Sequence, residues 1–453
     1  MRTMAEVSGL VPSLALCGAT VVTDLDPPEV VHADVVLAGD RVVAVGVAPP
    51  FVPRRDCSGT LVVPGGVCAH HHLYSALAVG MPYHLPPPTT FTEILQRVWW
   101  RLDRALDEDA VRASALRAGL DALRAGTTTV VDHHASPEAV DGSLDVIAEA
   151  LAQVGIRSVL CYEVTDRDGP RRARAGLAEN RRFLTRSHTL ARGMVGAHAS
   201  FTLGDDTLGE LADLARGAGV GVHVHVAEGE VDQDDARARG SAGVVDRLER
   251  AGVLTDRALL AHCVHLSPPE VARIAGSGAT VVCCPRSNMG NAVGQSPFAH
   301  VGAGVALGTD GIGGDLIAES QAGYLRAREA DLGTTTAWPL ARLAEGARFA
   351  GRVHDEPLLG ILRPGAPADL VVLEHPAPGT VTADTLADHW VLGLSSAQVR
   401  DVVVAGELVI ADRRSTRLDE AEVAADGARE AARLRARLES VPPHPFEPRG
   451  SQS

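Results

Sequence analysis

Apolar residues along the chain fall into short runs separated by polar or glycine-containing turns. Residues 13–62 read as β segments: "LALCGATVV", "ADVVLAGDRVVAVG" with a turn at Gly39 and Asp40, and "GTLVVPG". A similar passage returns late, as "ADLVVLE" from Ala368 and "VRDVVVAGELVIA" from Val399. Two separated β pieces that flank everything else predict one small β domain, a β-sandwich, built from both chain ends. Between them, apolar runs alternate with helical patterns such as "DEDAVRASALRAGLDALRA" and "PEVARIAGSG". Counting a first run from Val62, the alternation predicts eight strands and a parallel (β/α)8 barrel, so functional side chains belong where each run ends. The expected boundaries are 1–62 and 363–415 for the two parts of the β domain, 63–362 for the barrel, and 416–453 for a C-terminal helix and mobile tail.

The run ends share a composition. In order they carry His70 and His72, His133 and His134, Glu163, His198, His225 with Glu228, His262 and Asp310. Successive strand side chains alternate in direction, so His70 and His72 project together while His71 points away. A lone histidine at a strand end is ordinarily a hydrogen-bonded core imidazole. Histidines at five strand ends followed by an aspartate point instead to a divalent metal, which takes imidazole and carboxylate ligands. His70, His72, His225 and Asp310 can supply that set, because strands one and eight are neighbours in a closed barrel.

Composition narrows the chemistry. The chain has 453 residues and 45% hydrophobic content, enough for a large α/β core plus an accessory domain. A formal net charge of -15 argues against nucleic-acid binding and leaves a small molecule as the expected substrate. No apolar stretch reaches the roughly 18 residues of a membrane span, and the N-terminus runs straight into strand-like sequence, so no membrane partner and a cytoplasmic location are expected. Seven scattered cysteines predict buried thiols rather than a disulfide framework. All 42 basic residues are arginine, and without lysine there is no Schiff base, no P-loop lysine and no carboxylated-lysine metal bridge.

The motifs together resemble the amidohydrolase superfamily. "VVPGGVCAHHH" is similar to its P-G-x-x-x-x-H-x-H element, "HVHVAE" to its fifth-strand H-x-x-E, "AHCVH" to its sixth-strand histidine, "LGTDG" to its eighth-strand aspartate and "LRPGAPADLVVL" to its late β-domain segment. Within it, "VWWRLDRALDE", "VVDHHASP" and "CPRSNMGNAVG" resemble the selenium-metabolism (SsnA-like) aminohydrolase group, related to aminohydrolases of guanine, cytosine, adenosine and triazines. The resemblance implies a TIM-barrel hydrolase and a homodimer. It also implies one divalent metal per chain on His70, His72, His225 and Asp310, zinc ahead of ferrous iron. Glu228 and His262 would handle protons during deamination of an N-heterocycle by metal-activated water, with Asp310 accepting a hydrogen bond from the nucleophile. His134, Glu163, His198 and Arg286 are expected at the substrate, although Arg286 stands where many deaminases of this branch have a small residue. Three readings compete with deamination: ring opening of a cyclic amide, a lyase or isomerase, and a non-catalytic scaffold barrel.

Overall fold

The computed structural model describes residues 11–301, 304–376 and 378–450. The first ten residues of the N-terminal stretch, on which the expected absence of a membrane or targeting segment partly rests, lie outside the described residues.

Eight parallel strands form the barrel in chain order: Gly66–His71, Thr127–His134, Arg157–Val164, Val195–Ala199, Val222–Val226, Leu259–His262, Thr280–Cys283 and Val305–Leu307. A parallel bridge between His71 and Asp310 joins the last strand's end to the first. Every residue of strands two to eight is buried, as expected of a parallel sheet covered on both faces. Helices start where their capping residues predict. Asp107 accepts the Ala110 N–H to open Glu108–Arg124, and a Ser267–Glu270 capping box opens Pro268–Ser277.

The chain ends build a second, mixed sheet. Leu61–Pro64 lies at its centre, parallel to Leu14–Leu25 and antiparallel to Leu370–Leu373, so one strand joins the early β piece to the late one. Apolar clusters cover both faces: Leu16, Val35 and Val62 belong to one, Ala15, Val36 and Val52 to the other.

The run starting at Val62 is not one barrel strand. It divides at Gly65 into Leu61–Pro64 of the end sheet and Gly66–His71 of the barrel. A Cβ at Gly65 would lie 2.1 Å from Thr128 Oγ1, so the chain crosses between the sheets where no side chain fits. Periodicity does not reveal the break, because both strands are apolar. Residues 441–450, expected from their polarity to be mobile, instead lie against the barrel's carboxyl face, with His444 buried. Among the described residues, no helix is long and apolar enough to cross a membrane.

Candidate active site at the carboxyl face of the barrel

Strand alternation delivers His70 and His72 to the lumen and turns His71 outward, where its Nδ1 meets Thr309 Oγ1 at 2.8 Å. Four of the lumen imidazoles are held through Nδ1. His72 Nδ1 donates to the His133 carbonyl at 2.6 Å, and His225 Nδ1 to the His198 carbonyl at 2.8 Å. His70 Nδ1 pairs with His223 Nε2 at 2.8 Å, and His262 Nδ1 donates to Asn288 Oδ1 at 2.9 Å. Anchoring one ring nitrogen frees the other as a ligand, the arrangement metal-binding histidines require. His70 Nε2 and His262 Nε2 are indeed buried with no hydrogen-bond partner.

Asp310 completes the cluster, its Oδ1 3.4 Å from His70 Nε2 and 3.1 Å from His72 Nε2. His72 Nε2 and His225 Nε2 stand 3.2 Å apart. Donors about 2.0–2.1 Å from a common tetrahedral centre stand roughly 3.3–3.4 Å from one another, so these spacings fit a single divalent ion. Ligand atoms of His70, His225, His262 and Asp310 all lie within 4.8 Å of one another, as do those of His72, His133, Glu163 and His225. His262 thus comes closer to the ligand cluster than its expected role in orienting water requires.

Electrostatics favour a cation at this point. Burial pushes His70 and His225 well below the usual imidazole range, leaving them neutral and able to ligate. Burial also disfavours charge on His72, but Asp310 outweighs it and holds the ring up at about 9. Burial would raise Asp310, yet the His70 and His72 rings beside its carboxylate bring it well below its ordinary value. An ionised carboxylate faces a proton on His72 at the point where a metal would place positive charge.

The sequence model of the amidohydrolase family matches residues 61–409, and that span holds every residue of the cluster. This chain belongs to the amidohydrolase family. The 5-methylthioadenosine/S-adenosylhomocysteine deaminase of Symbiobacterium thermophilum is 31% identical over 447 residues, covering 93% of this chain and 99% of that one. The enzyme of the same name from Pelotomaculum thermopropionicum is 29% identical, with coverages of 93% and 99%. An adenosine deaminase from Xanthomonas campestris, solved with bound zinc, superposes with a TM-score of 0.80 at 24% identity and covers 94% of this chain and 99% of its own; it shares the fold.

In this amidohydrolase the cluster opens into a cleft lined by Tyr74, Trp100, Glu163, His198 and Glu228 among others. Glu228 follows Ala227, whose φ of 48° turns the end of strand five. His262 and Asp310 also have positive φ, 69° and 54°. Non-glycine residues in this region cost on the order of 1–3 kcal/mol each, so three strand ends are strained where they present site residues. Glu228 Oε1 accepts from Asn291 Nδ2 at 3.3 Å, and its Oε2 lies 3.6 Å from His262 Nε2. Burial raises the Glu228 carboxyl above its ordinary value against the pull of His262, the direction that suits a group exchanging protons near neutrality.

Two expected substrate residues lie elsewhere. His134 has the parity opposite to His133, so it points out of the lumen, bonds Ser136 Oγ at 2.9 Å and packs edge-on to Tyr74 and Tyr162. Its neighbour His133 takes the inner position, 3.3 Å from Glu163 Oε2. Arg286 turns away from the cleft to Glu319 Oε2 at 2.5 Å and the Gly313 carbonyl at 3.0 Å. Its role is to pair a fully buried carboxylate. Arg286→Ala is therefore expected to destabilise the fold by about 3–5 kcal/mol, read by denaturant unfolding. A variant of wild-type stability with a raised KM would put Arg286 at the substrate instead.

Glu163 and His198 line the cleft as expected, 3.7 Å apart between Oε1 and Nε2. His133, one of the run-end histidines, joins the site, as does His223, whose deeper position on the same face as His225 reads as packing; Ser287, Asn288 and Asn291 join it without having been singled out. The last three had a signal: "CPRSNMGN" places them on a short helix, Pro285–Gly290, and its C-cap directly after strand seven. His223 had one too, since it shares the face of His225.

Gly308 marks how tightly the barrel closes beside these ligands. A Cβ there would lie 2.7 Å from the His70 Cβ and carbonyl oxygen and 2.8 Å from its nitrogen. Gly308→Ala must push strand eight away from strand one between His70 and Asp310. It is expected to weaken metal retention on dialysis while the far-UV circular dichroism stays native. Full metal retention would show that the closure can yield.

Proposed function

We propose that this amidohydrolase is a metal-dependent aminohydrolase that releases ammonia from a small N-heterocycle, with adenosine-type compounds first among the candidates. The observation that carries the reading is Glu228, a buried carboxylate at the rim of an imidazole–carboxylate cluster, beside His262 and hydrogen-bonded by Asn291. His70, His72, His225 and Asp310 would hold one divalent ion, with zinc favoured. Bound there, such an ion lowers the pKa of a coordinated water from about 15.7 to around 7.

The protein's own groups do the rest. Glu228 accepts the water proton and delivers it to the ring nitrogen or departing amine, and Asn291 Nδ2 fixes the carboxylate that makes the transfer. His262, its Nδ1 held by Asn288, donates from Nε2 toward the developing negative charge in its imidazolium form, protonated at both ring nitrogens. Asp310 Oδ1 accepts a hydrogen bond from the attacking water, while Ser287 Oγ holds its Oδ2. Glu163 and His198 face the substrate. Glu163 stays ionised because His198, His133 and Arg167 together overcome its burial.

The named relatives supply the first panel: adenosine, 5′-methylthioadenosine, S-adenosylhomocysteine and 5′-deoxyadenosine, extended with guanine, cytosine and aminotriazines. Zinc-loaded protein is expected to release ammonia from at least one of them. A ring-opened product without ammonia would assign cyclic-amide hydrolysis. No turnover across the panel and cyclic amides, with metal bound, would remove the aminohydrolase reading.

A further inference from the structure

We propose that the C-terminal segment 441–450 is part of the substrate-binding wall, with His444 and Phe446 as positioning residues that hold Trp100 in the cleft. The proposal rests on the aminohydrolase reading only for the choice of substrate.

Trp100 lines the cleft and is 1% exposed. Its ring lies 5.9 Å from His198, which in turn lies 5.4 Å from His225, so it is one imidazole removed from the ligand cluster. A π-helical turn, Leu95–Trp99, precedes it and sets Leu95, Trp99 and Trp100 together on the cleft side. The indole packs in one cluster with Leu95, Ala199 and Phe201, the Phe201 ring 6.4 Å away. Two further sources complete its surroundings. Arg167 places its guanidinium 5.1 Å from the ring centre, and the C-terminal segment supplies His444 at 5.3 Å and Phe446 at 5.8 Å, both edge-on.

The segment is fastened along its length to loops that carry the site. Arg101 Nε donates to the Val441 carbonyl at 2.7 Å, His444 N to the Gln96 carbonyl at 2.9 Å, and Gln96 Nε2 to the Phe446 carbonyl at 2.8 Å. Arg449 N donates to Asp235 Oδ1 at 3.0 Å, on the helix that follows Glu228. A second path runs through charge. His444 Nε2 meets Asp168 Oδ1 at 3.2 Å, Asp168 lies 3.4 Å from Arg167, and Arg167 reaches Glu163 at 3.3 Å in the cleft. The segment therefore meets the wall at an aromatic ring and, through Asp168 and Arg167, at a carboxylate. A planar heterocycle bound against Trp100 would feel both.

Removing the segment loosens this wall and leaves the ligand cluster and Glu228 untouched, so binding is lost rather than chemistry. The test compares the full chain with a chain ending at Ser440 and with His444→Ala, Phe446→Ala and Phe446→Tyr. Tryptophan emission and acrylamide quenching, compared between wild type and Trp100→Phe to separate this indole from the other three tryptophans, need no substrate. Truncation is expected to shift emission to the red and increase quenching, and a Trp100→Phe background should abolish both changes. On whichever compound the panel identifies, KM is expected to rise about 10-fold or more with kcat within about 2-fold and metal content unchanged, and Phe446→Tyr should restore KM. Unchanged emission and KM after truncation would overturn the proposal. So would a fall in kcat that tracks metal loss, which is the mark of general support of the fold. If no substrate turns over, the emission changes still decide whether the segment holds Trp100.

Discussion

Replacing Glu228 by glutamine is expected to lower turnover at least about 100-fold while metal content and thermal midpoint stay near wild type. Glutamine keeps the size of the side chain and one oxygen acceptor for Asn291 Nδ2. It removes the basicity on which proton transfer depends, and positioned acid–base groups contribute about 10² to 10⁴-fold. The carboxylate lies outside all three groups of converging ligand atoms among the described residues, so the ion has no reason to leave. Unreacted substrate should therefore accumulate on the variant. Metal stoichiometry, the melting midpoint and single-turnover ammonia release decide the matter together. Loss of metal would make Glu228 a ligand, and near-normal turnover would give the proton to another group.

The second large effect concerns the ion itself. Wild-type protein is expected to hold one divalent metal per chain, and His70→Ala, His225→Ala and Asp310→Ala should each fall towards none after dialysis, measured by elemental analysis. Removing one of four protein donors leaves too few for a catalytic site. Asp310→Ala also strips the only carboxylate from a cluster of imidazoles, and with it the charge that favours a cation. His262→Ala distinguishes the two arrangements of donors. It should keep its metal if His72 completes the set, and lose it if His262 does. Two tightly held ions per chain would mean that His72, His133 and Glu163 form a site of their own, against the assignment made here.

Much of this site is legible in the amino-acid sequence because it depends on two periods. The β/α alternation places run ends on one face of a barrel, and strand parity separates His70 and His72 from His71. Where a residue's direction follows from neither, sequence reasoning fails. His133 and His134 sit at the frayed end of a strand, and only the register with strand three, His133 beside Cys161 and His134 beside Tyr162, settles which one enters the lumen. Arg286 follows a strand but opens a helix, whose direction turns its side chain to Glu319. Gly65 breaks an unbroken apolar run because of what it passes, Thr128 in another strand. The segment 441–450 is polar and proline-rich, and its anchoring depends on Gln96, Arg101 and Asp168, more than 270 residues earlier in the chain. Composition describes a segment's solubility and carries no information about a distant partner.

The pairing of Leu61–Pro64 with Leu370–Leu373 has a consequence in time. A ribosome delivers the first strand about 300 residues before the second, a wait of about 15–60 s at ~5–20 residues per second. Throughout that interval an apolar strand that will become the middle of a sheet has an open edge, the kind of surface that invites pairing with another chain. Nascent chains crowded on one message are thus most exposed to one another before the barrel is finished. Residues 441–450, whose His444 and Phe446 pack on Trp100, can dock only after the barrel beneath them has been made.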